Sequence, residues 1–339
     1  MKDEESGKPP EMVQPKNPSE QTIYGFPIKH VVLVLLTVQN AGAVLLMRYT
    51  RSIPGETEFN TQTAVIMQEF IKGLACVAIL LQTEGTVASA WAVPSEALKT
   101  SIPALLYLGQ NNLQYVAVGL LDAATYTVTY QTKTVWSGIS VFLLGRALKL
   151  GKWLGLGMLS LGVGIVQLSS VAQAKVAGDP GDSDAQIQGF MVILLAAALS
   201  SLAGVYFEKI LKGVRVSLWT RNLQLAGYSV VTACAPLYAS GNLALVLEKG
   251  FFYGYTPMTW TCILMNAGGG LLVGTVIKYA DAVTKDVAIG ASIVLSSVAS
   301  SQLFGFEISA QFTLGVCLVI YAVFLYGERA TLFGLLKSN

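Results

Sequence analysis

Tyr126, Tyr130, Lys133 and Ser137 recur at i, i+4, i+7 and i+11, so a helix that carries them presents two aromatic rings, a cation and a hydroxyl as one stripe. They belong to the stretch DAATYTVTYQTK (122–133), which is flanked by long apolar runs. The nearest acid in sequence is Asp122, about three helical turns away. At a 1.5 Å rise per residue, Lys133 then lies roughly 16 Å from Asp122, about half the thickness of a bilayer's hydrocarbon core. A charge at that depth costs about 2.5 to 3.5 kcal/mol on insertion scales, which makes such a lysine a functional candidate. The competing reading, a lysine that snorkels to an interface beside tyrosines that merely pack, is hardest to satisfy at mid-depth.

Other polar residues lie within apolar runs. Lys72 has Glu69 three residues earlier on the same helical face and is expected to pair with it. The run YLGQNNLQY (107–115) carries Tyr107, Gln110, Asn111, Asn112, Gln114 and Tyr115; amides in hydrocarbon need partners, and hydrogen bonds across helices would supply them. An amide that shares a face with an aromatic ring, as Asn111 does with Tyr107, also offers what a nucleobase edge requires. Gly204 with Lys209, Arg221 with Asn222 and Gln224, and Lys278 with Asp281 fall at the ends of later apolar segments, where topology alone would also place cations. Glycines at 155–164 and at Gly268, Gly269, Gly270 and Gly274 lack a phosphate-loop signature and are expected to let helices approach closely.

These residues must be positioned by helices in a membrane. The chain of 339 residues is 53% hydrophobic and 12% charged, with mean hydropathy +0.57, too apolar for a soluble domain of this size. The expected fold is an all-α polytopic membrane protein with ten transmembrane helices, at 28–48, 62–82, 101–120, 124–145, 151–170, 188–209, 218–239, 257–278, 286–304 and 308–327. The 22 Lys and Arg divide into sixteen on the side of the termini, four opposite (Arg48, Arg51, Lys175 and Lys249) and two within spans, which predicts both termini in the cytosol. The parts are a disordered cytosolic tail (1–27), a first five-helix repeat (28–170), a lumenal linker (171–187), a second five-helix repeat (188–327) and a cytosolic C-terminal tail (328–339). No cleavable signal is expected before the first span. The motif D-A-x-T-x-x-V opens the fourth span at Asp122 and the ninth at Asp281, and Lys285 of the second copy falls where Tyr126 does in the first. With five helices per half the second copy runs upside down, an inverted repeat of the kind found in carriers that alternate access around a central site.

The loops are too short for a catalytic domain. One peripheral histidine, His30, and no intramembrane carboxylate pair leave no acid–base or metal constellation, so no enzyme, cofactor or metal is expected. The four cysteines, Cys76, Cys234, Cys262 and Cys317, are expected to be small buried hydrophobes.

The strings QNNLQYVA (110–117), DAATY (122–126), VTYQTK (128–133), AGVYFEKILKG (203–213), RNLQL (221–225), GFFYGY (250–255) and IKYAD (277–281) together resemble the Golgi nucleotide-sugar transporters. This is the branch of the drug/metabolite transporter superfamily with carriers for UDP-galactose, UDP-N-acetylglucosamine and CMP-sialic acid. The resemblance runs from the second span to the tenth. It implies an antiporter in the Golgi membrane, multi-pass, that exchanges a cytosolic nucleotide sugar for a lumenal nucleoside monophosphate, with a homodimer as a further expectation. No nucleic-acid partner is expected. It also implies substrate-binding roles for Lys133, Tyr126, Tyr130, Asn111, Asn112, Lys72, Gly204, Asn222 and Lys278, with Glu69 joining through Lys72. The wording is closer to the UDP-sugar members, which favours UDP-galactose or UDP-N-acetylglucosamine with UMP; CMP-sialic acid with CMP is the alternative, and another phosphorylated metabolite a third. The chain departs from the usual pattern after Lys278-Tyr279-Ala280-Asp281, with AVTKD in place of NILKG, and at Thr132, where leucine is usual.

Overall fold

The protein was analysed as a computed structural model that describes residues 22–23, 26–52, 58–143, 148–176, 180–213, 216–279 and 282–326. Apart from a two-residue antiparallel ladder (β1, Thr22–Ile23, with β2, Phe26–Pro27), the described chain is helical. Most of the expected N-terminal tail and all of the C-terminal tail fall outside the described residues.

Helix occupies every window expected to hold a span. The helices are α1 (Ile28–Ser52), α2 (Thr61–Thr83), α3 (Pro94–Leu98), α4 (Ser101–Leu120), α5 (Ala123–Thr129), α6 (Lys133–Leu143), α7 (Leu150–Val176), α8 (Pro180–Gly213), α9 (Leu218–Thr232), α10 (Cys234–Ala239), α11 (Asn242–Lys249), α12 (Pro257–Tyr279), α13 (Ala282–Phe304) and α14 (Ala310–Tyr326). Among the described residues, Leu33–Ser52, Thr61–Thr83, Leu150–Gln173 and Asp184–Phe207 are long and apolar enough to cross a membrane. Leu218–Ala239 and Asn242–Lys249 reach that length and hydropathy only when taken together, and the two are bent by 100° where they meet.

Two helices depart from the expected boundaries. The stretch 171–187, read from sequence as a linker, is helical at both ends, because α7 runs on to Val176 and α8 begins at Pro180. Pro at the first helical position favours a helix start at 180. The window 124–145 is also not one uniform helix. A 3-10 turn, Tyr130–Thr132, separates α5 from α6. Gln131 donates to the Thr127 carbonyl (3.1 Å) and Thr132 to that of Thr129 (2.8 Å), so side chains compete for the carbonyls that a regular α-helix would use.

The packing places α5 at the centre. Every one of its seven residues is buried, and it touches α1, α4, α7, α8 and α13. Its N-cap, Asp122, accepts from the Thr125 amide at 2.7 Å. Around it, α4 packs on α8, α1 on α12 and α13, and α2 on α9 and α12, while α7 pairs with α14. That last pair is the closest in build. A Cβ on Gly162 would lie 2.9 Å from the Gly315 carbonyl oxygen, and one on Gly315 2.8 Å from that of Gly162, so only glycine lets the two backbones touch. Gly157 and Gly164, on the same helix, face open space.

Two loops cross over from one half of the chain to the other. The segment after α2 lies on the start of α9: Gln224 donates to the Ala90 carbonyl (2.5 Å), Thr100 donates to Gln224 (3.0 Å), and Trp91 packs edge-on against Tyr228. The segment after α9 lies on the start of α2: Ser240 and Asn242 both donate to Gln62 (3.0 and 3.1 Å), Tyr255 donates to Thr63 (3.0 Å), and Phe59 meets Tyr255 edge-on. Each strap is thus fastened by a glutamine in the first turns of the other half's helix.

Candidate functional site

The aromatic stripe forms as its spacing predicts, and it faces α8. Tyr126 and Tyr130 stack with centroids 5.9 Å apart and planes 18° from parallel. Lys133, the first residue of α6, holds its Nζ 4.8 Å above the centre of the Tyr130 ring. At that range a partly buried cation–π contact contributes about 0.5–2 kcal/mol. Tyr130 donates its hydroxyl to Ser200 (3.0 Å), and Ser137 pairs with Ser201 (3.0 Å). One turn further along α8, Gly204 faces Tyr107 of α4; a Cβ there would stand 3.8 Å from the tyrosine hydroxyl oxygen. The structure therefore brings Tyr126, Tyr130, Lys133 and Gly204 together, and it adds Ser200, Ser201 and Tyr107. The serine pair was missed from the sequence, although adjacent serines in an apolar run, one turn before a glycine, were a usable signal.

The amides of α4 behave differently from expectation. Most of their hydrogen bonds stay within the helix, although Gln114 also reaches Tyr126 of α5. Asn112 turns back to the Leu108 carbonyl of its own helix (2.8 Å), and Gln110 donates to Gln114 (3.1 Å) and to Asn111 (3.4 Å). A one-turn spacing lets each side chain reach its own backbone or neighbour, which is the cheaper contact. Among the described residues, this leaves the buried oxygens of Gln110 and Asn112 with no hydrogen-bond partner, and the same holds for Thr129 of α5 and for Gln131 in the turn after it. Buried polar atoms are nearly always satisfied, so each of these is a position where a polar group of a ligand would be welcome.

Lys72 and Glu69 form a second group. Their ion pair closes at 2.5 Å, as the spacing predicts, with Glu69 buried and Lys72 nearly so. The lysine stem sits against α12, where a Cβ on Gly270 would come within 3.1 Å of it. Asn222, on α9, is buried and donates to the Leu218 carbonyl of its own helix (3.1 Å). The side chains of Lys278 and Lys285, with residue Asp281, fall outside the described residues.

Arg221, read from sequence only as a cation at a helix end, has zero exposure. Its Nη1 donates to the Glu96 carbonyl (3.0 Å), Thr100 (3.2 Å) and Gln224 (3.0 Å), and its Nη2 lies 3.9 Å from the Glu96 carboxylate. It is a clamp that holds the strap after α2. At the opposite end, Arg48 donates to the last carbonyls of α4, at Val118 (2.9 Å) and Gly119 (3.0 Å), where a cation complements a helix C-terminus. Beside it, burial pushes the Asp122 carboxyl above its usual range, against the opposing pull of the Thr125 hydrogen bonds and of Arg48. All four cysteines are free; Cys76 and Cys262 are buried, whereas Cys234 and Cys317 are exposed on apolar helix faces rather than buried as expected.

A bundle of apolar helices packed in this way, with a cation held over stacked tyrosines, has the features of a membrane carrier. The family model described as Nucleotide-sugar transporter matches residues 24–327, and the chain belongs to that family. It is 45% identical to the human UDP-galactose translocator over 310 residues, which cover 88% of this chain and 77% of that one. It is 41% identical to the UDP-galactose transporter of Schizosaccharomyces pombe over 315 residues (89% and 88%). With the rat UDP-N-acetylglucosamine transporter it shares 40% identity over 312 residues (88% and 95%). A solved crystal structure 16% identical in sequence matches the fold with a TM-score of 0.54, covering 88% of this chain and 96% of that one.

Proposed function

We propose that this nucleotide-sugar transporter is an antiporter that carries UDP-galactose or UDP-N-acetylglucosamine in one direction and UMP in the other. The observation that carries the reading is the Lys133 ammonium held over the stacked pair Tyr126–Tyr130. Stacked rings accept the flat face of a uracil, and the cation draws the diphosphate toward the same wall. The unpartnered amide oxygens of α4 then face the base edge or the ribose hydroxyls. The relatives named for UDP-galactose and UDP-N-acetylglucosamine support uridine over cytidine.

Exchange follows from electrostatics. A lysine partly withdrawn from water among helices costs desolvation energy that a bound anion helps to offset, so the loaded carrier changes orientation more readily than the empty one. Both UMP and a UDP-sugar bring about two negative charges. Lys72 already has Glu69, so its charge reaches the substrate only by sharing. The ten-span, five-plus-five arrangement with cytosolic termini, Golgi residence and a homodimer belong to the same reading. The two crossed straps support the five-plus-five arrangement, since exchanging the first five spans with the last five turns one strap into the other.

Purified carrier in liposomes preloaded with UMP or with CMP tests the proposal. Labelled UDP-galactose or UDP-N-acetylglucosamine should enter against UMP. Entry of CMP-sialic acid against CMP, or equal exchange against inorganic phosphate, would overturn it.

A further inference from the structure

The segment from Gly241 to Tyr253 has no place in the transport reading, yet its shape is specific. Gly241 and Gly250, both with positive φ (76° and 94°), bracket α11 and turn the chain sharply at each end. The bend sets α11 at 100° to Leu218–Ala239. With the span at 218–239 crossing the bilayer, as the proposed ten-span arrangement has it, α11 lies in the plane of the membrane surface. No residue of α11 is buried. At 100° per residue, Leu243, Ala244, Val246 and Leu247 share one side, while Asn242, Glu248 and Lys249 share the other, with Leu245 among them. Leu247 is 78% exposed. The helix is nonetheless fixed in direction, because Asn242 is bonded to Gln62 of α2.

The surroundings identify what covers that apolar side. Val231 on α9 and Tyr238 on α10, seven residues apart and so on one helical side, are exposed in the stretch that leads to α11. Just past it, Phe252 and Tyr253 are exposed, and Phe252 packs on Phe251 and Trp260. Lys249 sits with Nζ 4.9 Å over the Tyr253 ring. Aromatic rings and a lysine at the end of a span are the composition of a membrane–water interface, and an amphipathic helix in that plane buries its apolar side about 5–10 Å into the headgroup boundary. We propose that α11 and the turn after it lie in the lipid headgroup layer, with Leu243 and Leu247 toward the acyl chains and Glu248 toward water. Glu248 and Lys249 cancel in charge, so the surface suits zwitterionic lipid.

Spin labels on the full-length carrier test this. In a background of Cys234→Ser and Cys317→Ser, which removes the exposed thiols, nitroxide is attached to Leu247→Cys or to Glu248→Cys, and the protein is reconstituted in phosphatidylcholine liposomes. Power saturation is then read with oxygen and with a water-soluble nickel chelate on both sides of the bilayer. The label at 247 should be several-fold more accessible to oxygen than to nickel, and the label at 248 the reverse. Greater nickel access at 247 would place the helix in water and overturn the proposal. An immobilised label shielded from both reagents would mean a protein partner, such as a second copy of the chain, and would overturn it equally.

Discussion

Lys133 is placed by its neighbours more than by its own helix. The 3-10 turn at 130–132 ends one helix and starts another, and it leaves the ammonium above the Tyr130 ring instead of extended along α6. Removing the charge while keeping the fold should show in transport alone. Lys133→Ala is expected to lower UDP-sugar exchange in liposomes at least tenfold, with little loss of thermal midpoint; unchanged exchange would sink the assignment. Asp122 offers a test with a pH sign. Because burial raises its carboxyl, the folded chain binds that proton more tightly than the unfolded chain. Its contribution therefore favours the fold in acid and declines as pH rises from the ordinary carboxylate range through the raised value. Asp122→Asn keeps an acceptor for the Thr125 amide and drops the charge. Its midpoint at neutral pH should equal or exceed that of the wild type, and its advantage should shrink on acidification. Asp122→Ala, which loses the cap, should cost about 1 kcal/mol. Midpoints measured in detergent across pH check both, and an Asn variant that loses ground as pH rises would refute the account.

At the scale of elements, the glycines of α7 separate contact from mere flexibility. Gly162→Val forces a side chain into the backbone of α14 and should cost about 1–3 kcal/mol as overpacking. Gly164→Val, two residues away and facing open space, should be tolerated. Equal loss in the two variants, read as thermal midpoint or as recovered folded protein, would refute the packing argument. The sequence made the positions of the helices legible, because twenty-residue apolar windows leave few other choices. It also exposed the stripe at 126, 130, 133 and 137 and the Glu69–Lys72 pair, since both rest on helical spacing. What it hid depended on partners distant in sequence or on local competition for carbonyls. The break at 130–132 arises from Gln131 and Thr132 bonding backward, which a period of 3.6 does not register. Arg221 resembled any cation at a helix end until Glu96 and Thr100, more than a hundred residues earlier, closed around it. Ser200 gained a role only through Tyr130, seventy residues away.

Over the whole molecule, the contacts interleave the two halves of the chain. α1 packs against α12 and α13, α4 against α8, and α2 against α9, so most of each half's packing surface is completed by the other. The straps carry this furthest. Gln62 near the start of α2 is fastened by Ser240 and Asn242, and the loop holding Ala90 is fastened by Gln224 and Arg221. During synthesis, then, the first half enters the membrane with its strap unlatched and its polar groups unmatched, and it waits for roughly half the chain to be translated before it can close. A chain cut between residues 176 and 180 should behave accordingly. Either piece expressed alone should be degraded, and the two co-expressed should assemble and exchange substrate; a first piece that accumulates by itself would contradict this. The ribosome's schedule, as much as the finished packing, thus determines when this carrier becomes a folded protein.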